Sequence, residues 1–316
     1  MKQSFKSALY ALAISGFAVV TQAQTPLYQW TFDGGSGSTV TPSVATGGGG
    51  GLTLTSPGVY GAAGSGVSGA PGDLAFNNTG TTYGSAGGIA ASTTADMSIG
   101  VQTAFTMTGW MQASGGYSAL GAFARVFMVG QGTPDTGSAN AATLAIFNNA
   151  AGENQVNTLQ LRLSNIGGPQ TSPTDGLLAG NNVLTPFGSG WTFFAVTVDL
   201  TATANNVNFY FGGLSSLNAP ITLSYNNAGA PIGSIDFGSV ANSDAGSAQL
   251  LNRSSDLNRG FTGSGDDFGF YSGALNSAGV TAVYNSALPV PEPATLTLLG
   301  LGSVVGVMAV RRRRTA

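Results

Sequence analysis

Apolar residues recur at every second position in several short runs of this chain, and that period constrains the fold more than any other feature. In NVNFYF, Val207, Phe209 and Phe211 share one side while Asn206, Asn208 and Tyr210 share the other. Successive side chains of an extended strand point to opposite faces, so this is the pattern of a strand with one buried face. TLQLRL repeats it, with Leu159, Leu161 and Leu163 set against Gln160 and Arg162. FTMTGWMQ puts Phe105, Met107 and Met111 on one side. WTFFAVTVDL is apolar on both sides at first and turns polar at Thr197 and Asp199, as a central strand covered on both faces near one end would be. Clusters of Gly, Asn, Ser, Thr and Pro, such as SNIGGPQTSPTDG and GSGSTVTPSVATGGGGG, separate these runs and read as turns and loops. One short helix is expected in the body, near NSAGVTAVYN, with Asn276 as its cap. Many strands, Gly-rich turns and one core predict an all-β sandwich or barrel.

The two ends break this pattern. At the N-terminus, Lys2 and Lys6 precede an apolar stretch over 8–20, and Thr21-Gln22-Ala23 puts small residues at −3 and −1. This is the form of a secretory signal helix, with cleavage expected after Ala23. At the C-terminus, residues 294–310 carry no charge. A helix rising ~1.5 Å per residue would reach roughly 25 Å there, enough to cross a bilayer. Pro291 and Pro293 cannot sit inside that helix and mark its start. Arg311, Arg312, Arg313 and Arg314 follow it and would stay in the cytoplasm, leaving everything upstream outside.

The order Pro291-Glu292-Pro293, apolar helix, arginine cluster resembles the PEP-CTERM sorting signal over residues 290–316. The resemblance implies export by a Gram-negative, exopolysaccharide-making bacterium, with a membrane-embedded exosortase as the processing partner. The expected organisation is therefore a signal peptide at 1–23, a body at 24–289 and a sorting signal at 290–316. Its transmembrane helix would span 294–310 and anchor the chain in the inner membrane before processing.

Charge narrows the function of the body. Residues 24–289 hold twelve acids against four bases, Arg125, Arg162, Arg253 and Arg259, a net −8 with no Lys. Such a surface offers no basic patch to a phosphate backbone, which excludes nucleic acid as a partner. With no Cys, the fold must rest on its core, and a chain of this length buries enough surface for that. The body is long for a seven-stranded immunoglobulin-type sandwich and suits a larger jelly roll. Two small sandwiches are the alternative, although no internal repeat is visible.

Five segments, in order, resemble a laminin-G-like, concanavalin-A-like domain. They are LYQWTFDGGSGSTVTPSVATGGGGGLTL, DLAFNN, AFTMTGWMQA, GWTFFAVTVDLTATANNVNFYFGG and GDDFGFYSGALNSAGVTAVY. The resemblance implies a jelly-roll β-sandwich whose first and last strands are neighbours. It also implies a structural calcium held by Asp carboxylates and backbone carbonyls, which makes Asp33 and Asp267 the metal candidates. The competing reading is that Asp33 and Asp266 nucleate turns beside Gly.

Other chemistry finds little to work with. Glycoside hydrolysis needs two carboxyl groups flanking one bond. The single body Glu, Glu153, lies in the loop-like AAGENQVN, and Asp266 and Asp267 would point to opposite faces of a strand. No His, Cys or Lys is present in the body to serve as base or nucleophile, so no catalytic residue is expected. Gly64, Gly66 and Gly69 match a dinucleotide-binding spacing, but Ala70-Pro71-Gly72 continues as loop and not as the helix such a site requires. Among aromatics able to stack on sugars, Trp110 and Trp191 read as core, while Tyr83 and Tyr117 lie in Gly/Ser loops that leave them free to face solvent. Trp30 and Tyr225 are further candidates.

Taken together, the expectation is an exported surface or matrix protein: a non-enzymatic binding or adhesion module associated with extracellular polysaccharide and biofilm. The alternatives are a structural envelope protein with no specific ligand and, last, a glycan-active enzyme.

Overall fold

The computed structural model describes residues 24–35, 37–55, 59–79, 88–92, 96–131, 140–148, 156–164, 176–225, 230–242, 245–253 and 257–289. The signal segment through Ala23, the helix expected at 294–310 and the sorting residues Pro291, Glu292, Pro293, Arg311, Arg312, Arg313 and Arg314 lie outside them. Among the described residues no helix is long and apolar enough to cross a membrane.

Alternation builds the two layers. The strand Ala104–Ala113 turns Phe105, Met107 and Met111 into the inter-sheet core and Trp110 to the opposite face. Thr192–Asp199 and Val207–Gly212 extend this sheet on one side, and Ile221–Leu223 forms its edge. On the other side come Gly263–Ser272, Tyr28–Trp30 and Val44–Ala45, with Val59–Tyr60 and Phe76–Asn77 attached at the start of Gly263–Ser272. The second sheet runs Leu177–Leu178, Thr158–Ser164, Ala141–Phe147, Ala124–Gln131, Gly246–Leu250, Ala90–Ser92, Leu52–Leu54 and Thr39–Val40. Neighbouring strands in both sheets pair antiparallel. The expected jelly-roll β-sandwich is therefore what the chain forms.

Between the sheets lies one core. Leu159, Leu161 and Leu163 enter it from the second sheet, facing Val207, Phe209 and Phe211 of the first. Apolar burial of this kind drives the closure, at about 25 cal/mol per Å² removed from water.

The outer face of the first sheet is covered as well. Helix α1 (Ser277–Ser286) lays Val280, Val283 and Tyr284 over Trp110 and Phe193. Tyr284 stacks on Trp110 with ring centroids 5.5 Å apart and meets Phe193 edge-on at 5.4 Å. This second cover explains why WTFFAVTVDL is apolar on both sides. Asn276 caps α1 as expected, its Oδ1 accepting from the Gly279 N–H at 2.9 Å.

Candidate functional site

One strand carries the irregularity from which the site grows. In Gly263–Ser272, Asp266 pairs with Trp110 and the next paired residue is Gly269, opposite Thr108. Two residues, Asp267 and Phe268, thus stand against the single Gly109, which is a β-bulge. Asp267 adopts φ 48, in the left-handed region that Asp and Asn tolerate better than most side chains. The extra residue reverses the alternation beyond it. Phe268 and Phe270 face the core, whereas Asp266 sits beside Trp110 on the outer side.

This corrects the expectation that Asp266 and Asp267 point to opposite faces. That inference assumed regular strand geometry, and the bulge removes it. The two carboxyl groups instead act on each other electrostatically, and both feel Asp73.

The cover over Asp266 is the loop 61–75, and its backbone is folded around carboxylates. The Val67 N–H donates to Asp266 Oδ2 at 3.0 Å, and the Asp267 N–H to Asp266 Oδ1 at 2.8 Å. Ser68 N–H reaches Asp73 Oδ2 at 2.6 Å, and Leu74 N–H reaches Asp33 Oδ1 at 3.4 Å. Gly66 stands against Asp73 and Asp266 so closely that a Cβ there would collide with both carboxylates. Of the glycines that failed as a dinucleotide motif, Gly66 therefore has another use. It lets the backbone approach the carboxylates of Asp73 and Asp266.

The first strand supplies the remaining wall. Trp30 pairs with Phe268, so the chain leaving Tyr28–Trp30 brings Asp33 to the bulge, as expected from the adjacency of first and last strands. Asp33, Asp73 and Asp267 line a depression of ≈ 950 Å³ together with Gln29, Thr31, the loop 68–72 and residues 286–289. Sequence reasoning had Asp33 and Asp267 here. It missed Asp73 and the buried Asp266, whose only local signal was the spacing of Gly66, Ser68 and Asp73.

Electrostatics show what this arrangement lacks. Asp266 is fully buried. That burial first, then the charges of Asp267 and Asp73, hold its carboxyl far above the usual carboxylate range, against the pull of two backbone N–H groups. Burial, then Asp73 and Asp33, push Asp267 in the same direction. No arginine lines the depression. Carboxylate oxygens with no base among them are the hard donors that a divalent cation prefers. Among the described residues no three acidic side chains converge on one point. A cation would thus have to complete its shell with backbone carbonyls and water.

A pH dependence follows for the protein stripped of divalent ions. The unfolded chain releases carboxyl protons near pH ~3.9, whereas folded Asp266 and Asp267 keep theirs to higher pH. In between, the folded state binds more protons, so stability falls as pH rises. The loss begins above about pH 4 and continues through the raised folded values. The chain has no His or Cys, so no other side chain ordinarily titrates from about pH 5 to about pH 8. Thermal melts in EDTA across that window should show a falling Tm. A Tm that climbs would mean the carboxyl pair is ionised and compensated.

The aromatic candidates resolve differently. Trp30, Trp110 and Trp191 are all buried, the last two as expected. Tyr117 is not at the surface. It is buried, and its hydroxyl donates to the Met111 carbonyl at 3.2 Å. Its Gly/Ser neighbours form a short turn that folds the ring inward. Tyr225 is partly buried, its hydroxyl accepting from the Leu163 N–H at 3.4 Å. Tyr83 and Glu153 lie outside the described residues. Among the described residues no aromatic side chain is exposed.

Comparison with known proteins adds one assignment. Residues 289–314 match the PEP-CTERM protein-sorting motif. No curated protein matches the sequence. Among solved structures, the chain is similar to the botulinum neurotoxin serotype D/C binding domain at 12% identity and a TM-score of 0.43, covering 83% of this chain and 52% of that one. The serotype G binding domain gives 13% identity and 0.40, with 83% and 51% covered. A heptameric SAP-like pentraxin from Limulus polyphemus gives 11% and 0.35, with 58% and 71% covered. The chain spans about half the length of the toxin domains it matches.

Proposed function

We propose that this chain, which ends in a PEP-CTERM protein-sorting motif, is an exported, non-enzymatic binding module of the cell surface or extracellular matrix. In this reading the signal peptide 1–23 carries it across the inner membrane. An exosortase then processes the tag, and the sandwich binds extracellular polysaccharide. The observation that carries the proposal is the joining of a sorting motif to a β-sandwich body. The lack of an exposed aromatic among the described residues points the ligand contact toward polar groups and not ring stacking.

The carboxyl pair supports binding over hydrolysis. A protonated acid beside an ionised one is the arrangement a glycosidase uses. Asp266, however, has no exposed surface, and each of its oxygens accepts a backbone N–H. It has no route to a substrate oxygen. Asp267, on the wall of the depression, suits a structural cation instead. Calcium takes about six to eight oxygens; Asp267 with Asp33 would contribute carboxylate oxygens, and backbone carbonyls and water the rest. Bound there, the ion would neutralise the like charges that this fold brings together.

The test is binding of the body, residues 24–289, to the producing strain's own exopolysaccharide, with calcium and with chelator. Saturable binding is expected, stronger with calcium. Absence of binding in both conditions would leave the structural envelope reading. Shortening of the polysaccharide would revive the enzyme.

A further inference from the structure

The last element of the body sets where the chain leaves it. Helix α1 lies on the outer face of the first sheet, with Tyr284 stacked on Trp110 and its hydroxyl donating to the Gly213 carbonyl at 2.6 Å. Beyond the helix, Ala287 and Leu288 still pack against that aromatic cluster, and the Leu288 N–H donates to the Asn285 carbonyl at 3.3 Å. Pro289 is exposed. The exit is therefore a fixed point on the surface, and it shares one rim with Asp33 and the loop 68–72.

The way from this point to the membrane is short. The sorting motif begins at residue 289, and the uncharged stretch expected to cross the bilayer begins at Ala294. Five Cα–Cα steps cover at most about 18 Å even when fully extended. A body of 266 residues has a radius of gyration of about 18 Å and, as a sphere, a diameter of about 48 Å. A tether that much shorter than the body cannot pass around it. The surface at the exit has to face the bilayer, and the opposite surface has to face away.

The rim is shaped to lie close. Gly69, Ala70, Pro71 and Gly72 form an exposed, uncharged loop tip with no long side chain. The turn 200–206 lies far from it. It follows Asp199, which pairs with Ala104, six residues along that strand from Trp110 and its partner Asp266. It also belongs to the flank of Ala104–Ala113 opposite to Gly263–Ser272.

We propose that, while the chain is anchored, the rim formed by Asp33, the loop 68–72 and residues 286–289 is held against the membrane surface, and that removal of the tag opens this face of the body to large partners. The inference rests on the reading that residues 294–310 span the membrane before processing. It needs no affinity of the rim for lipid, because the short tether alone imposes it.

The chain has no Cys, so a single introduced cysteine reports one position. Ala70→Cys and Ala204→Cys, both at exposed alanines, would each carry a fluorophore on the full chain in phosphatidylcholine vesicles containing a nitroxide-headgroup lipid. Zwitterionic lipid keeps net headgroup charge away from Asp33. Loss of fluorescence is expected at position 70 and not at 204. Equal emission at both positions, in a chain that floats with the vesicles, would overturn the orientation and leave the anchor standing. A chain that does not float with them would overturn the anchor and the proposal with it. Inserting about 20 Gly/Ser residues after Pro289 lengthens the reach by about 70 Å, more than the body's diameter, and should restore the fluorescence at 70. Quenching that persists would mean that the rim binds lipid by itself, and would overturn the tether as the cause.

Discussion

Phe268→Ala is expected to lower the stability of the body by about 3–5 kcal/mol, the usual range for removing a buried aromatic ring. The ring meets Phe127 edge-on at 5.4 Å and Phe32 at 6.4 Å, with Phe194 at 6.1 Å. Its space exists because Gly109 and Gly265 carry no side chain. A Cβ on Gly109 would stand 2.9 Å from the ring, and one on Gly265 would stand 2.7 Å from it. Neither glycine can move a side chain into the void, so the site collapses poorly and the cavity penalty stays high. Phe268 is also the residue that the bulge turns inward, so its loss removes the anchor of Asp267. At about 2–4 °C per kcal/mol for a domain of this size, Tm should fall by about 10 °C. Phe268→Leu should cost less than half as much, since it keeps most of the volume. A loss below about 1 kcal/mol in Phe268→Ala would mean that the bulge does not hold its ring in the core.

Asp267→Asn should change stability in opposite directions depending on calcium. In chelator the variant is expected to melt above the parent. Parent Asp267 is pressed by burial and by the charges of Asp73 and Asp33, and Asn removes its own charge while keeping the shape. Asn also suits φ 48 at least as well as Asp does. In saturating calcium the order should reverse. A ligand present at about 100 times its Kd stabilises by about 2.7 kcal/mol, roughly 5–10 °C here, and the variant forfeits most of that. Paired melts of both proteins in calcium and in EDTA decide the matter. Curves that keep the same order in both conditions would refute the cation reading of this residue.

Much of this was written in local patterns. The inward sets Phe105, Met107, Met111 and Val207, Phe209, Phe211 are where the alternation put them, because a strand's period of two is a backbone property and needs no partner. Asn276 capped the helix for the same reason, since a cap bonds within its own turn. The doubly apolar start of Thr192–Asp199 announced a cover that turned out to be α1. The meeting of Asp33 with Asp267 came from the pairing of the first and last strands, which the order of segments foretold.

The rest needed the folded chain. Nothing in GDDFGF says that two residues oppose one across the sheet. A bulge is a statement about register with Ala104–Ala113, some 160 positions away in the chain. Tyr117 looked solvated because its neighbours are small and polar, yet its ring is buried by contacts that its neighbours do not make. The glycines at 64, 66 and 69 were read only as a dinucleotide-like spacing that fails because loop follows it. Only the tertiary structure showed that Gly66 lets the backbone pass against Asp73 and Asp266.

By itself, then, the sequence determined the strands, their inward faces, the capped helix and the sorting motif, since each is set by interactions within a few residues. The gathering of Asp73 and the buried Asp266 beside Asp33 and Asp267 was decided by tertiary structure. Like charges come together only where long-range strand pairing and a loop cover compel them, and no local preference encodes an arrangement that each of its members opposes.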